Sequence, residues 1–401
     1  MLSDDLLFRI VEEYGTPVYV YNQDTIEQKY ADLDTSISFS PKRIYYACKA
    51  NSNLALLKIF EELGSFIDVV SPGEIFLALK AGFEPERLLF TGNNLTQSEM
   101  EYAINNNILL TVDSLSQLKT YGKLNPHSDV SVRINPNLGA GHHAYVVTGG
   151  IDSKFGIYFL KIYDILDIAR KYQLNIIGLH MHIGSGILEY RILLKGIESL
   201  LECASHFKNL DFIDIGGGIG ISHTQKSFDL PLYGQAVTDM FQQWVKGHGE
   251  ITLAVEPGRF LVAESGVLLT TVTSIKENFE NTFVGVDTGF NHFMRPILYN
   301  AQHKITVLGS HFKNEKKVSI CGNICENGDI LAKNIVLPHV EEGNILIIHN
   351  TGAYGVSMAS QYNSRVLPAE VLVHNGYPVL IRRRGRYEDF LLHQCGDCNE
   401  P

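Results

Sequence analysis

From about Arg43 to Gly258 the sequence repeats one unit: a short apolar run that ends in polar or glycine residues, followed by an amphipathic stretch. The apolar runs are Ile44–Ala47, Phe66–Val70, Leu88–Thr91, Leu109–Val112, Val130–Ile134, Ile176–His180, Phe212–Ile215 and Ile251–Val255. Their β-branched and aromatic content predicts strands. Helical patterns lie between them, as in Leu54–Leu63, Gly73–Ala81, Ser98–Asn106, Tyr158–Tyr172, Leu188–Phe207 and Tyr233–Lys246. Strands alternating with helices in this way build parallel sheets, and eight in series favour an α/β fold closed as a (β/α)8 barrel over an open sheet.

After about Val262 the rhythm changes. Val267–Ile275, Phe283–Val286, Lys304–Leu308, Lys317–Ile320, Ile345–His349, Ala369–Val373 and Val379–Arg382 follow one another without long helical patterns, which predicts a C-terminal mainly β domain. The early run from Thr16 to Tyr21 is also strand-like and is a candidate partner for those strands. A chain of 401 residues is too long for one small core. The expected division is a barrel over 25–262 and a β domain over 263–401, joined by an N-terminal strand segment, 1–24.

Hydrophobic residues at 45% and charged residues at 19% are ordinary for a globular chain. The formal net charge of −11 argues against nucleic acid and anionic membrane as main partners, although a local arginine cluster can still bind an anionic substrate. No apolar run reaches membrane-spanning length, and the acidic N-terminus lacks the features of a signal peptide, so a cytoplasmic protein is expected. The six cysteines are scattered, which reads as reduced thiols. Cys395 and Cys398 form a lone CxxC, expected to be a mobile, inert tail.

Barrel active sites lie at the C-terminal ends of the strands. Those ends here carry Lys49, Asp68 with Ser71, Asn93, Asp113, Arg133, His180 with His182, Gly216-Gly217-Gly218, and Glu256 with Arg259. A lysine amine forms a Schiff base where burial or a cationic neighbour makes it nucleophilic. Three consecutive glycines let backbone N–H groups approach a phosphate, and barrel phosphate sites commonly follow the last two strands. His180 and His182 alternate on a predicted strand, so they share a face. They could be a metal pair, but Lys49, Arg133 and Arg259 at the other ends disfavour a cation. The preferred reading lays His182 flat on an aromatic cofactor ring, with Ser185 near its phosphate, and leaves His180 a buried, hydrogen-bonded histidine. Glu256 can pair with a protonated ring nitrogen; the alternative is a salt bridge to a nearby Arg or Lys.

These residues form a pattern. The chain resembles the fold-type-III pyridoxal-phosphate decarboxylases over nearly its whole length. The resemblance is carried by Tyr-Ala-Cys-Lys-Ala-Asn-Ser-Asn (46–53), Asp-Val-Val-Ser-Pro-Gly-Glu (68–74), Thr-Gly-Gly-Ile-Asp-Ser-Lys-Phe-Gly (148–156), His-Met-His-Ile-Gly-Ser-Gly (180–186), Asp-Ile-Gly-Gly-Gly (214–218), Glu-Pro-Gly-Arg (256–259), Arg-Pro-Ile-Leu-Tyr (295–299), Cys-Glu-Asn-Gly-Asp (325–329) and Gly-Ala-Tyr-Gly (352–355). It implies an alanine-racemase-like barrel, pyridoxal 5'-phosphate as cofactor, no metal, and a homodimer that shares its active sites across the interface.

Residue by residue, the resemblance implies that Lys49 holds the cofactor as a Schiff base, His182 stacks on its ring and Glu256 contacts its nitrogen. Asp68 belongs to the same cofactor set. Ser185, Gly217, Gly218 and the Glu256–Arg259 turn with Gly258 hold the phosphate, and Tyr354 lies beside the cofactor. Cys325, from the partner subunit, donates the proton. Arg259, Arg295, Tyr299, Glu326 and Tyr354 recognise the substrate.

The implied reaction is decarboxylation of meso-2,6-diaminopimelate to L-lysine and CO2, the last step of lysine biosynthesis. The distal end of that substrate carries a carboxylate and an ammonium, which suit a forked arginine and a glutamate. A diamine-forming decarboxylase needs only an acidic group there, so Arg295 with Tyr299 favours diaminopimelate; the alternative for Arg295 is a brace at a subunit contact. The rival readings are a related decarboxylase acting on another amino acid or on a carrier-linked or polyamine precursor, a non-catalytic binding protein derived from such an enzyme, and a metal-dependent barrel hydrolase. Departures from the commoner pattern are Gly186, the stretch Gly139–His143, His292, and the run His349-Asn350-Thr351.

Overall fold

The computed structural model describes residues 2–141, 143, 147–221, 227–310 and 315–394. They form two compact units, one spanning Glu27–Leu261 and one combining the chain up to Ile26 with the chain from Val262 onward. The first strand, β1 (Val18–Asn22), belongs to the second unit.

The first unit holds β2 (Lys42–Ala47), β3 (Phe66–Val69), β4 (Leu88–Phe90), β5 (Leu109–Val112), β6 (Asp129–Asn135), β7 (Ile157–Tyr158), β8 (Asn175–His180), β9 (Phe212–Asp214) and β10 (Thr252–Val255). The parallel order β5-β4-β3-β2-β10-β9-β8-β6 closes on itself where β5 pairs β6, Thr111 against Ser131 and Val112 against Val132. The short β7 runs beside the end of β6. The expected eight-stranded parallel barrel is therefore present. Tyr45, Leu89, Phe212 and Ala254 pack together from four of its strands. A Cβ on Gly178 would fall 2.2 Å from the Phe212 ring, so glycine there makes room for the larger side chain.

The helix edges follow capping chemistry that apolar periodicity cannot see. Ser71 caps Pro72–Ala81, which stops at Gly82 in the left-handed region, and Thr96 with Glu99 forms a capping box on Gln97–Asn105. The stretch Tyr158–Tyr172, expected as one helix, divides instead: Tyr158 closes β7, Phe159–Lys161 makes a short turn, and the helix proper is Ile162–Tyr172.

The second unit contains β11 (Gly266–Asn278), β12 (Asn281–Val286), β13 (Ile305–Val307), β14 (Glu315–Cys321), β15 (Ile330–Pro338), β16 (Ile345–His349), β17 (Ala369–His374) and β18 (Tyr377–Arg382). Its sheet runs β15-β14-β12-β11-β1-β17-β18, with β16 also on β11 and β13 on β16. β1 lies antiparallel to β11 and parallel to β17, the pairing expected of the N-terminal strand. The N-terminal segment is not all strand-like: Asp4–Tyr14 is a helix capped by Ser3. Its Leu6, Leu7 and Ile10 join Val18, Val20, Leu269, Ile347 and Val371 in one buried cluster. Strand β15 escaped the sequence reading because polar Lys333 and Asn334 interrupt it, and Asn334 takes φ +56°. Among the described residues, no helix is long and apolar enough to cross a membrane.

Candidate active site

Parallel closure brings the C-terminal ends of β2, β3 and β4 side by side. Lys49 follows β2 in the single turn Cys48–Ala50, and its Nζ pairs with Asp68 on β3. Asp68 is fully buried and also accepts a hydrogen bond from Thr91, just past β4. Burial, then the nearby Glu256, push the Asp68 carboxyl up, while Lys49 and Thr91 oppose them. A lysine held against a buried carboxylate at the barrel mouth is an amine fixed in place. Behind it, Glu74 accepts the Val70 N–H at 2.8 Å, and burial pushes its carboxyl up to about 7. Thr91 and Glu74 are not site candidates in the sequence; Glu74 closes the Asp68–Glu74 motif, but nothing in its spacing reveals that it is half-buried.

On the other side, β8 ends at His180, whose Nε2 lies 2.9 Å from Glu256 Oε2 past β10. Both side chains are buried. Burial raises the Glu256 carboxyl, but the charge and hydrogen bond of His180, with the charge of Lys49, outweigh it and bring it down to about 2. Its observed partner is thus a histidine, not the Arg or Lys of the alternative reading. Asp214, the last residue of β9, accepts the Gly216 N–H at 2.8 Å. His182 lies beyond the strand end, so the expected shared strand face with His180 is not formed. Instead His182 Nδ1 accepts the Gly217 N–H at 3.2 Å. Burial, then Arg133 and Lys49, push His182 down to about 3, leaving a neutral ring.

The glycine run is dictated by close backbone approach. Gly216 takes φ +69°, and a Cβ there would lie 2.2 Å from the Met181 carbonyl oxygen. A Cβ on Gly217 would lie 2.2 Å from the Glu256 carbonyl oxygen. Gly218 takes φ +108° and faces the Gly184 carbonyl oxygen. Gly258 packs close to the Ala47 and Ala50 methyls, and Arg259 donates to Ser185 Oγ at 2.9 Å. Arg133 is buried, lies 4.6 Å from the Phe155 ring centroid and donates to the His182 carbonyl at 3.4 Å. His180 has other company than His182: one nitrogen or oxygen atom each from His180, Asp214 and Glu256 lies within 4.8 Å of the others.

The second unit places the remaining candidates. Arg295 is buried at the start of the short helix Arg295–Tyr299. Its guanidinium lies 5.8 Å from the Tyr299 ring centroid and 6.0 Å from that of Tyr354, and its Nε donates to His303 Nε2 at 3.4 Å. Tyr354 takes φ +57°, uncommon for a bulky residue. Cys325 and Glu326 sit in the exposed loop between β14 and β15; the Cys325 N–H donates to Asn363 Oδ1 at 2.9 Å, and Tyr362 donates to Glu326 at 2.7 Å. Asp329 folds that loop by accepting the Phe290 and Ile324 N–H groups, each at 2.8 Å. His292 and His349 are hydrogen-bonded within this unit, His292 to Thr288 Oγ1 and the Val366 carbonyl, and His349 to Thr306 Oγ1. His142, Cys395 and Cys398 lie outside the described residues.

Residues 23–263 match the family described as pyridoxal-dependent decarboxylase, pyridoxal binding domain. The chain is 40% identical over 398 residues to the diaminopimelate decarboxylase of Methanothermobacter thermautotrophicus, covering 96% of this chain and 93% of that one. The chain belongs to the diaminopimelate decarboxylases. The Escherichia coli diaminopimelate decarboxylase is 36% identical over 410 residues, covering 97% of this chain and 96% of its own length. Among solved structures, diaminopimelate decarboxylase from Helicobacter pylori complexed with L-lysine superposes with a TM-score of 0.90 at 36% identity, covering 96% of this chain and 98% of that one. As a diaminopimelate decarboxylase by family, the chain has the pyridoxal-binding barrel and the β domain expected of fold-type-III enzymes.

Proposed function

We infer that this protein decarboxylates meso-2,6-diaminopimelate to L-lysine and CO2 with pyridoxal 5'-phosphate as cofactor. The observation that carries the reading is the Lys49 amine paired with Asp68 and facing Glu256 and His182 at one end of the barrel. The residues fit the cofactor on two counts. The 216–218 turn is a side-chain-free stretch of backbone, and the buried Glu256 carboxylate, near the Lys49 ammonium, is held as an anion that can face a protonated ring nitrogen.

Pyridoxal phosphate, when bound, supplies the electron sink for the bond that loses CO2. Lys49 is the residue that would hold it covalently. Glu256, held as an anion, would face the ring nitrogen, and neutral His182 would lie against the ring. Gly217, Gly218, Ser185, Gly258 and Arg259 would hold the phosphate, Asp68 fixes Lys49, and Tyr354 is the tyrosine that the cofactor would meet. Arg295 and Tyr299, with Arg259 and Tyr354, would bind the distal carboxylate, and Glu326 its ammonium. Cys325 Sγ would deliver the proton that replaces CO2. Its exposure in the chain suits a thiol offered to a second subunit, so the working enzyme is a homodimer whose subunits complete each other's sites. The reaction belongs in the cytoplasm, where unpaired cysteines such as the four described here persist.

The test is CO2 release from a panel of amino acids, with an absorption spectrum of the purified protein. Diaminopimelate should be the preferred substrate, and Lys49→Ala should remove both the absorbance near the visible edge and turnover. A colourless protein that binds zinc, or one that prefers ornithine, lysine or arginine, would overturn the reading.

A further inference from the structure

Glu256 has two oxygens to satisfy in a region closed to water, and the protein bonds one of them. Oε2 meets His180 Nε2 at 2.9 Å, whereas Oε1 is buried without a partner. Asp214, also fully buried, stands in the mirror situation: Oδ1 accepts the Gly216 N–H at 2.8 Å, and Oδ2 is buried without a partner. These two carboxyls and His180 lie together, one nitrogen or oxygen atom from each within 4.8 Å of the other two. Two bare carboxylate oxygens are both acceptors and cannot bond each other. Two adjacent carboxylates in a dry site cannot both keep their charge. One shared proton satisfies both oxygens and removes the repulsion.

The surroundings decide which carboxyl carries that proton. Glu256 receives the His180 hydrogen bond and feels the Lys49 ammonium, both of which favour its anion. Asp214 receives a backbone N–H and faces the carboxyls of Glu256 and Asp68, so its own charge is disfavoured. We propose that Asp214 is a positioning residue kept as a neutral carboxylic acid, which donates to Glu256 opposite the His180 bond and so clamps Glu256 as a fixed anion. Burial, followed by the nearby Glu256, pushes the Asp214 carboxyl well up, in accord with that assignment. The inference rests on the cofactor reading for its purpose: a carboxylate bonded on both sides neither rotates nor takes up the proton that a cofactor ring nitrogen must keep. Asp214 itself touches no reacting atom in this scheme.

The experiment compares wild type, Asp214→Asn and Asp214→Ala, as purified and after cofactor removal. Asparagine keeps the Oδ1 acceptor for Gly216 and offers Glu256 an N–H donor, so it imitates a neutral acid and not an aspartate anion. The infrared spectrum should show a carboxylic-acid carbonyl band at neutral pH in wild type that Asp214→Asn lacks. In Asp214→Ala, kcat should fall about 10-fold or more with KM changed less than about 3-fold, and the cofactor should bind more weakly; Asp214→Asn should recover most of both losses. A missing infrared band would overturn the proposal, as would an Asp214→Asn variant as damaged as Asp214→Ala. So would one equivalent of zinc held by wild type and lost in Asp214→Asn. If Asp214→Ala does not fold, the infrared comparison with Asp214→Asn decides alone. The band is read without cofactor, so failure to take up pyridoxal phosphate would sink the cofactor reading and leave this measurement intact.

Discussion

Glu74 illustrates what burial does to a single side chain near the Lys49–Asp68 pair. Its carboxyl is raised from 4.5 to about 7, so between those values the folded protein keeps a proton that the unfolded chain releases. Stability must therefore fall as pH rises through that window, by at most about 3 kcal/mol for the full shift. Glu74→Gln keeps an acceptor for the Val70 N–H but cannot ionise. Its melting temperature should match wild type near pH ~4.5 and exceed it increasingly up to pH ~8; a gap that stays constant with pH would show that Glu74 is not the titrating group. Arg295 makes a different point. Its guanidinium faces Tyr299 and Tyr354, so Arg295→Ala should raise KM for diaminopimelate by roughly 10-fold or more, the worth of one or two charge-assisted hydrogen bonds, and leave cofactor affinity unchanged. Equal loss of both would make Arg295 a structural brace. Lys49 was legible as a candidate because its residue type and strand-end position both pointed to it. Glu74 and Thr91 were not, since a half-buried carboxyl and a donor hydroxyl leave no periodic trace.

At the level of elements, the turn after β9 shows why residue choice there is so narrow. Gly217 has backbone from the turn after β10 where a side chain would start, with the Glu256 carbonyl oxygen 2.2 Å from its virtual Cβ. Gly217→Ala must push these two turns apart, at a cost of about 1–3 kcal/mol, and should loosen the cofactor site with it. Thermal melting and a pyridoxal phosphate titration would read both effects; an unchanged melting temperature would mean that the turns separate freely. The strands were readable from apolar runs because a parallel strand buried on both faces is nearly all apolar. Their ends, and the break at Tyr158–Lys161, were not, because caps and local dihedrals set those limits. His182 shows the same thing at the site: counted along the sequence it shares a strand face with His180, yet β8 stops at His180 and the next turn carries His182 to the Gly217 N–H.

For the whole molecule, the proposal that Cys325 acts on the neighbouring subunit's Lys49 site has a direct consequence. Lys49→Ala and Cys325→Ala are each expected to be inactive, the second with cofactor still bound. Mixed and allowed to exchange subunits, they should regain roughly a quarter of wild-type activity, since half of the dimers would be hybrids with one intact site of two. No recovery, with exchange verified by mass, would show that each chain completes its own site. The sequence by itself determined the barrel, the β unit and the lysine, glutamate and glycine positions at the strand ends, because strand periodicity and local residue type are properties of neighbours along the chain. Only the tertiary structure decided that Asp68 holds Lys49, that Glu256 is partnered by His180, and that Asp214 comes to lie beside both. Those contacts join residues from 19 to 76 positions apart, and barrel closure, not any local pattern, brings them together.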